Sequence, residues 1–402
     1  MASYSDLLKT PGVARIIAAQ LTARFPSGML SLAFLLHIEQ QTGSYGAAGL
    51  VLAATSTGQA VAGPLTSRLM GRFGMRPVLV TTLVVCTASV IAIGVLALTV
   101  PLYMLLGLVC GLATPPVQPA VRTIYPKMVN SRQLTPLFSL DASAQEIIWV
   151  VGPVVTTFVS TQVGTVWGIL LAAALMIVGG VWFIASPELG RVRIPRSKRA
   201  FGKVLLRPPV MLATVVGFLL IGACAAIEAG VVAAFGHDGA EAGIVLAIFS
   251  IGSLAGGLGL GHVPIGPWST ARRMFIVFVG TALAAFAMDF WWLSITLFIA
   301  GIGLAPALAV LFAIVSASVK FSDTAEAYGW VGTGQLIGAA LGSAVAGFLI
   351  DANGAVGAFW AATALAFLGF IVPALARRWH PDLRGRDASP IPDTEPVTIT
   401  PS

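Results

Sequence analysis

The most constraining feature of this sequence is a series of long apolar runs that contain almost no charge. Of the 402 residues, 57% are hydrophobic and only 10% are charged, and the mean hydropathy is +0.92. Soluble domains carry about one quarter charged residues, so this composition cannot supply a water-facing shell. Runs of about 20 apolar residues are long enough to cross a bilayer as helices. The sequence therefore predicts an all-α polytopic membrane protein.

Twelve such runs can be placed along the chain. They cover residues 13–37, 45–66, 77–99, 101–121, 137–160, 164–186, 209–233, 241–261, 273–288, 291–316, 326–349 and 354–376. The ninth is the shortest. The runs are too long for the strands of a transmembrane barrel and do not alternate, so a barrel is excluded. The three cysteines all lie inside runs, which predicts no disulfide framework.

The basic residues support this number of spans. With both termini in the cytoplasm, 22 of the 23 Lys and Arg residues fall on the inward side, and the outward loops hold only acidic charges. The remaining basic residue, Arg24, lies inside the first run. Such an uneven distribution of basic residues predicts an even number of spans in a cell membrane, with both termini on the cytoplasmic side. The excess of Lys and Arg on the inward side therefore explains the net charge of +7, and no nucleic-acid partner is expected.

The two halves of the chain resemble each other. AGLVLAATSTGQAVAG at 48–63 aligns with AGIVLAIFSIGSLAGG at 242–257, at an offset of 194. A match at an offset of 190 relates spans five and eleven: Gln145, Ile147, Gly152, Val155 and Phe158 fall on Gln335, Ile337, Gly342, Val345 and Phe348. The repeat predicts two six-helix bundles related by a pseudo-twofold axis along the membrane normal, with a pathway between them.

This repeat divides the chain into four parts. Residues 1–186 and 209–380 are the two predicted bundles. Residues 187–208 form a cytoplasmic linker with seven Lys and Arg residues, either a plain connector or a surface for lipid headgroups. Residues 381–402 are rich in Pro and Thr and are expected to be a disordered cytoplasmic tail.

With twelve spans in two halves and a basic central linker, the chain resembles the major facilitator superfamily of secondary transporters. That superfamily has a signature between spans two and three, G-x-x-x-D-R-x-G-R-R, and here the place is taken by SRLMGRFGMR at 67–76. Arg72, Gly74 and Arg76 match, whereas the carboxylate position is Gly71. The resemblance implies alternating access, with a gating loop formed by Arg68, Arg72, Gly74 and Arg76.

Span five carries a second, weaker resemblance. Drug–proton antiporters share a stretch with glycine and proline in this span, and EIIWVVGPVV retains Gly152 and Pro153. The resemblance implies proton-coupled efflux of a small amphipathic molecule. Breaks are expected in span one at Pro26 and Gly28 and in span five at Gly152 and Pro153. Such breaks expose backbone groups for a pathway or are simply packing kinks.

Charges inside the spans are the candidate site, because a charge near the bilayer centre costs about 2.5–3.5 kcal/mol on insertion scales. Arg24 in span one and Glu146 in span five lie at similar depths. We expect them to pair, either as a structural ion pair or as a proton-coupling couple whose separation changes proton affinity. Asp141 and Arg122 are a second expected pair near the cytoplasmic face. Further pathway candidates are Glu228, Gln145, Gln335 and Trp149.

No enzyme is expected, since the sequence has no Walker loop, no dinucleotide-binding glycine pattern and no spaced set of metal ligands. No cofactor is expected either. The expected partners are a small-molecule substrate, protons and membrane lipids, and the expected state is a monomer. Two alternatives stay open: uptake or facilitation of a nutrient without proton exchange, and a membrane receptor or regulator that has lost transport.

Overall fold

The computed structural model describes residues 4–197, 199–235, 241–385 and 388–393. Four titratable residues of the predicted loops and tail lie outside the described residues: Lys198, His237, Asp238 and Arg386. Within those ranges, ten segments are long and apolar enough to cross a membrane. Two further helices, Tyr45–Phe73 and Ser269–Ala284, complete the series of twelve spans, and the second of these is the short ninth run.

The first bundle contains spans 1 to 6. Its helices are α1 (Tyr4–Lys9), α2 (Val13–Arg24), α3 (Leu30–Thr42), α4 (Tyr45–Phe73), α5 (Met75–Val95), α6 (Val100–Leu112), α7 (Val117–Ile124), α8 (Ser131–Ala144), α9 (Glu146–Gln162) and α10 (Thr165–Ala185). Span 1 consists of α2 and α3, span 4 of α6 and α7, and span 5 of α8 and α9. Three spans of this bundle are therefore interrupted.

Proline accounts for two of the three interruptions. A 3-10 turn, Phe25–Gly28, separates α2 from α3 and contains Pro26. Pro115 and Pro116 lie between α6 and α7, where proline supplies no N–H for a helical hydrogen bond. Span 5 is interrupted at Gln145, between α8 and α9.

The expected break in span 5 is therefore in the wrong place. Helix α9 runs without interruption through Gly152 and Pro153. Gly152 instead lets two spans approach closely, because a Cβ there would lie 2.9 Å from the backbone of Gly28. Small residues allow this packing where lipid gives no hydrophobic drive for helix association.

The second bundle contains spans 7 to 12 and follows a short linker helix. These helices are α11 (Pro187–Arg191) in the linker, then α12 (Pro208–Phe235), α13 (Glu241–Leu260), α14 (Ser269–Ala284), α15 (Phe290–Ser318), α16 (Thr324–Asn353) and α17 (Ala355–Leu375). Spans 7, 10 and 11 are α12, α15 and α16, and each is continuous. Helix α15 continues through Pro306.

A ring contact locates the axis between the bundles. The rings of Phe138 and Tyr328 are 6.4 Å apart, and the two residues are separated by the 190 positions that relate spans five and eleven. Equivalent residues of two repeats can touch only where the symmetry axis passes between them. The contact therefore lies on the pseudo-twofold axis.

The bundles meet on the side where span 1 begins and span 12 ends, which we call the termini side. Within the described ranges, every hydrogen bond, ion pair and ring contact between the bundles lies in that half or at mid-depth. For example, the Ser139 hydroxyl donates to the Gly257 carbonyl at 2.6 Å. This distribution is the one expected of a carrier closed on the termini side.

The segment after span 12 differs from the expected disordered tail. The Leu383 N–H donates to the carbonyl of Ile265 at 2.9 Å, and Ala388 is 3% exposed. The described part of the tail is therefore packed against the second bundle, because its backbone groups find partners there. Residues 386–387 and 394–402 lie outside the described residues.

Candidate functional site

A buried polar cluster lies inside the first bundle around Arg24. One Arg24 nitrogen donates to the Gln20 side-chain oxygen at 2.8 Å, and the other donates to the Gln145 side-chain oxygen. The nearer nitrogen is 3.6 Å from the Asp141 carboxylate. Gln145, which directly follows α8, thus lies against Arg24, the last residue of α2.

Asp141 is the centre of this cluster and is fully buried. Its carboxylate accepts from Arg122 Nε at 3.0 Å, from the Tyr125 hydroxyl at 3.2 Å and from the Gln20 amide at 3.1 Å. Together with Arg24, these donors cover both carboxylate oxygens. A buried ion pair persists only when hydrogen bonds satisfy its remaining atoms, as they do here.

The expected pair of Arg24 and Glu146 is not present. The carboxylate beside Arg24 is that of Asp141, five positions before Glu146. Neighbouring residues of a helix point about 100° apart, so Gln145 and Glu146 diverge: the first points to Arg24 and the second to the other bundle. The expectation was based on the equal depth of Arg24 and Glu146 in the membrane, and depth does not determine the direction in which a side chain points. The second expected pair, Arg122 with Asp141, is formed.

Arg122 also contacts the second bundle. Its guanidinium carbon is 3.4 Å from the centroid of the Phe312 ring in α15, and both side chains are almost fully buried. A desolvated cation over an aromatic ring contributes about 2 kcal/mol or more. Arg122 therefore joins the Asp141 cluster to the junction of the bundles.

Glu146 makes the mid-depth contact between the bundles. One of its carboxylate oxygens accepts from the Ser253 hydroxyl of α13 at 3.1 Å, and Ser250 is a second hydroxyl beside it. Glu146 is 9% exposed. Glu228 of α12 is exposed and close enough for the two charges to repel. Within the described part of the chain, neither carboxylate forms an ion pair with Lys or Arg.

The other predicted pathway residues lie apart from this junction. Gln335 on α16 packs against Gly217, and its amide nitrogen is buried without a hydrogen-bond partner. Trp149 is 52% exposed on α9. No group of three or more His, Cys, Asp or Glu residues able to hold a metal ion occurs among the residues that the structure describes.

The loop between spans 2 and 3 reaches the second bundle through one arginine. Arg68 donates to the Glu326 carboxylate of α16 at 2.8 Å, and the Gly202 N–H of the linker donates to the other oxygen at 2.8 Å. The Arg199 and Ser197 side chains bind Asp323, just before α16. Asp323 and Glu326 lie at the N-terminus of α16, where the helix dipole also favours a carboxylate.

The remaining residues of this loop act within the first bundle. Arg76 donates to the carbonyls of Ile184 and Ser186 at the end of span 6, and Arg72 lies 5.1 Å from the centroid of the Phe73 ring. Gly74 has a φ of +91°, a value that favours glycine, at the turn between α4 and α5. Gly71, at the position of the signature carboxylate, lies against the linker, where a Cβ would be 3.3 Å from the Pro195 carbonyl oxygen.

The partners that the second bundle supplies to this site were missed by the sequence analysis: Phe312, Ser253 and Glu326. Glu326 left a usable signal, because it is an acidic residue at the inward end of a span where basic residues dominate. Phe312 left another, since it stands 190 positions after Arg122, the offset of the repeat. Ser253 is one of many serines in apolar helices and left none.

Comparison with known proteins identifies the family. The sequence profile of the Major Facilitator Superfamily matches residues 16–233 and 225–400. The chain belongs to the Major Facilitator Superfamily. It is a multi-pass membrane transporter of small molecules and not an enzyme. No curated protein sequence matches the chain.

Solved structures share the fold at low identity. The human organic anion transporter MFSD10 (TETRAN) is 14% identical with a TM-score of 0.69, and the match covers 90% of this chain and 100% of that one. A bacterial homologue of the iron transporter ferroportin, in its outward-facing state, is 12% identical with a TM-score of 0.74, covering 91% and 99%. At these identities the likeness establishes the fold alone.

Proposed function

We propose that the chain couples the export of a small amphipathic molecule to protons by alternating access, with residues 1–186 and 209–380 as the two rocking units. The observation that carries the proposal is the contact between Glu146 and Ser253. A buried carboxyl group without a basic partner is joined to the opposite bundle at mid-depth, where a substrate must pass between the bundles.

Protonation of Glu146 would change the energy of this junction. Burying an unpaired carboxylate is costly, whereas the protonated acid can both donate to and accept from the serine hydroxyls. The nearby charge of Glu228 adds repulsion when both groups are ionised. Rocking of the bundles would part Glu146 from Ser253 and expose it to the termini side. A proton bound on one side could then be released on the other.

The Arg24–Asp141–Arg122 cluster has a different role in this proposal. Its charges satisfy one another inside the first bundle, so it acts as a fixed hub that holds the broken spans 1, 4 and 5 together. Within this hub, the contact between Arg122 and Phe312 joins the two bundles, so it forms when the termini side closes and breaks when that side opens. Glu146, and not Arg24, is the group that exchanges protons.

The sidedness follows from charge. The termini side carries the basic loops and linker, so we place it in the cytoplasm and the chain in the cell membrane. Arg191, Arg193 and Arg196 of the linker are exposed and suited to anionic lipid headgroups. The transport unit is proposed to be a monomer, because the pathway lies between the bundles of a single chain.

Transport in proteoliposomes tests the proposal. Ethidium, an amphipathic cation, and other compounds that raise the melting temperature of the purified protein would be measured with and without a pH gradient. We expect the gradient to drive accumulation by the unchanged protein, and Glu146→Gln to abolish this response while leaving counterflow. Glu241→Gln is the matched control, since Glu241 is exposed at the start of α13.

Two outcomes would contradict the proposal. If Glu146→Gln responds to the gradient as the unchanged protein does, Glu146 is not the coupling group. If the unchanged protein shows equal counterflow with and without a gradient and no accumulation, the chain facilitates transport without proton exchange.

A further inference from the structure

The described end of the tail forms an ordered contact on the termini side. The Ile391 N–H donates to the Val319 carbonyl at 2.9 Å, and the Phe321 N–H donates back to the Ile391 carbonyl at 3.0 Å. These bonds make a parallel bridge between Ile391 and Lys320. We call residues 388–393 the tail strap.

A side chain adds to the backbone pairing. The Asp393 carboxylate accepts from the Ser322 N–H at 3.3 Å. Ala388, at the other end of the strap, is 3% exposed. The strap is thus held at three points along its length, in the manner of an extended peptide added to a free backbone edge.

The sequence of the strap suits this mode of binding. Pro390 and Pro392 flank Ile391, and proline fixes φ and carries no N–H. Of these three residues, only Ile391 can donate from its backbone, and that N–H is the one bound by Val319. The restricted backbone also lowers the entropy lost when the segment becomes ordered.

The edge that receives the strap belongs to the closed junction. The Phe321 ring lies 4.8 Å from the Lys127 ammonium of the first bundle. The next residues along the chain include Asp323 and Glu326, which bind Arg199 of the linker and Arg68 of the first bundle. One short segment between spans 10 and 11 therefore holds both the strap and the contacts that close the termini side.

We propose that the tail strap is an intramolecular latch: it binds the edge at residues 319–322 and stabilises the conformation that is closed on the termini side. The strap acts through its edge: it holds residues 319–322 in the position from which Phe321 meets Lys127 and the following Asp323 meets Arg199, so its release weakens these closing contacts. The proposal rests on the alternating access of the proposed function, and it does not depend on proton coupling.

Accessibility of one buried position reports the opening. Ser139→Cys, in a chain whose three native cysteines are replaced by alanine, places a thiol at the bundle junction, where Ser139 is fully buried. A water-soluble maleimide modifies this thiol only when the termini side opens. Ile391→Pro removes the N–H that binds Val319, and Ile391→Val is the matched control.

We expect Ile391→Pro to speed labelling by about 2- to 12-fold, the factor that corresponds to one net hydrogen bond. Ile391→Val should label like the unchanged chain. Asp393→Ala should accelerate labelling, and Asp393→Asn, which keeps an acceptor, should not. Deletion of residues 388–402 should give the largest acceleration, and an added peptide with the sequence of that segment should reverse it.

Equal labelling rates for Ile391→Pro, Ile391→Val and the deletion would overturn the latch. That result would leave the proton proposal intact, because the response of Glu146→Gln to a pH gradient is measured independently. Conversely, faster labelling of Ile391→Pro in a protein that shows no gradient-driven transport would support the latch and contradict the coupling.

Discussion

The two bundles share their packing but differ in where they are broken and charged. Spans 1, 4 and 5 of the first bundle are interrupted, whereas their counterparts, spans 7, 10 and 11, are continuous helices of 28, 29 and 30 residues. The first bundle buries its charges at these places. At the offset of 190, Asp141 falls on Val331 and Glu146 falls on Leu336.

The packing contact between spans 1 and 5 is nevertheless repeated between spans 7 and 11. Gly152 approaches Gly28 in the first bundle, and Gly342, its equivalent, approaches Gly222 in the second. The duplicated part of the molecule is therefore its close helix contacts. The breaks and the Arg24–Asp141–Arg122 cluster belong to one half, and the other half offers uncharged partners, Phe312 and Ser253, to Arg122 and Glu146. The carboxylates of the second bundle that pair with arginines, Asp323 and Glu326, lie on the termini side. This asymmetry assigns the polar chemistry to the first bundle and the rigid wall to the second.

Among the substitutions that test this difference between the bundles, the largest loss of stability is expected at Asp141. Asp141→Asn keeps the shape of the side chain but leaves Arg24 and Arg122 buried without a carboxylate. Loss of one partner from a buried ion pair costs about 3–5 kcal/mol. Thermal unfolding of the purified protein should show this loss. The equivalent change in the second bundle, Val331→Ala, removes only apolar contacts and should cost about 2 kcal/mol.

A second substitution checks the cause of that effect. Arg24→Gln combined with Asp141→Asn leaves one buried arginine rather than two, so the double variant should be more stable than Asp141→Asn alone. If the double variant is less stable by the full sum of the single effects, the buried charges are not what destabilises Asp141→Asn.

The fold was predictable because span formation depends on length and apolar content, which a sequence displays directly. The break in span 1 was also visible, since Pro26 and Gly28 mark it. The break at Gln145 was not, because neither glycine nor proline stands there. Pro153 was misleading: proline inside a membrane helix can be accommodated when neighbouring helices satisfy the freed carbonyl.

The site was predictable in its residues but not in its pairing. Arg24, Asp141, Arg122 and Glu146 stand out as charges within apolar runs. Which of them meet depends on the direction in which each side chain points, and the step of about 100° per residue turns Glu146 away from Arg24 while Gln145 faces it. Two partners from the second bundle, Phe312 and Ser253, are uncharged, so no charge pattern could reveal them, whereas the charge of Glu326 could have been noticed.

Phe312 offers the next test of the comparison. Phe312→Leu should destabilise the protein by roughly 3 kcal/mol, of which about 2 is the lost cation–π contact with Arg122 and the rest is poorer packing. It should also speed labelling of Ser139→Cys, because the junction on the termini side is weakened. Thermal unfolding and maleimide labelling measure the two effects.

A phenylalanine away from the junction provides the control. Phe359 is fully buried in the second bundle beside Gly230 and has no cation over its ring in the described contacts. Phe359→Leu should cost about 1 kcal/mol and leave the labelling rate unchanged. If both variants label alike, Phe312 does not hold the bundles closed.

The repeated glycine contacts should respond equally in both halves. A Cβ at Gly152 would lie 2.9 Å from the Gly28 carbonyl carbon, and one at Gly342 would lie 2.7 Å from the Gly222 carbonyl carbon and closer still to its oxygen. Backbone atoms cannot yield cheaply, so Gly152→Ala and Gly342→Ala should each cost about 2 kcal/mol in thermal unfolding. Gly347→Ala, where a Cβ meets open space, is the control and should be neutral or stabilising. Unequal losses would show that the packing is not shared after all.

The smallest expected effect lies outside the membrane, where Glu188 in the linker binds Arg15 of span 1. Burial raises the pKa of Glu188, but the hydrogen bond and charge of Arg15 outweigh it, so the net pKa is lowered. A lowered folded-state pKa contributes stability above the unfolded value of about 4.3, and this is lost as the pH falls through the folded value.

Glu188→Gln should therefore lower stability by no more than about 1 kcal/mol at pH 7, since Arg15 is half exposed and its charge is screened. Thermal unfolding of the variant and the unchanged chain at pH 7 and pH 4 measures the difference, which should shrink at the lower pH. Arg15→Gln should abolish the effect of Glu188→Gln if the two residues act as a pair. A difference that persists at pH 4, or in the Arg15→Gln background, would mean that Glu188 holds the linker by packing and not by its charge.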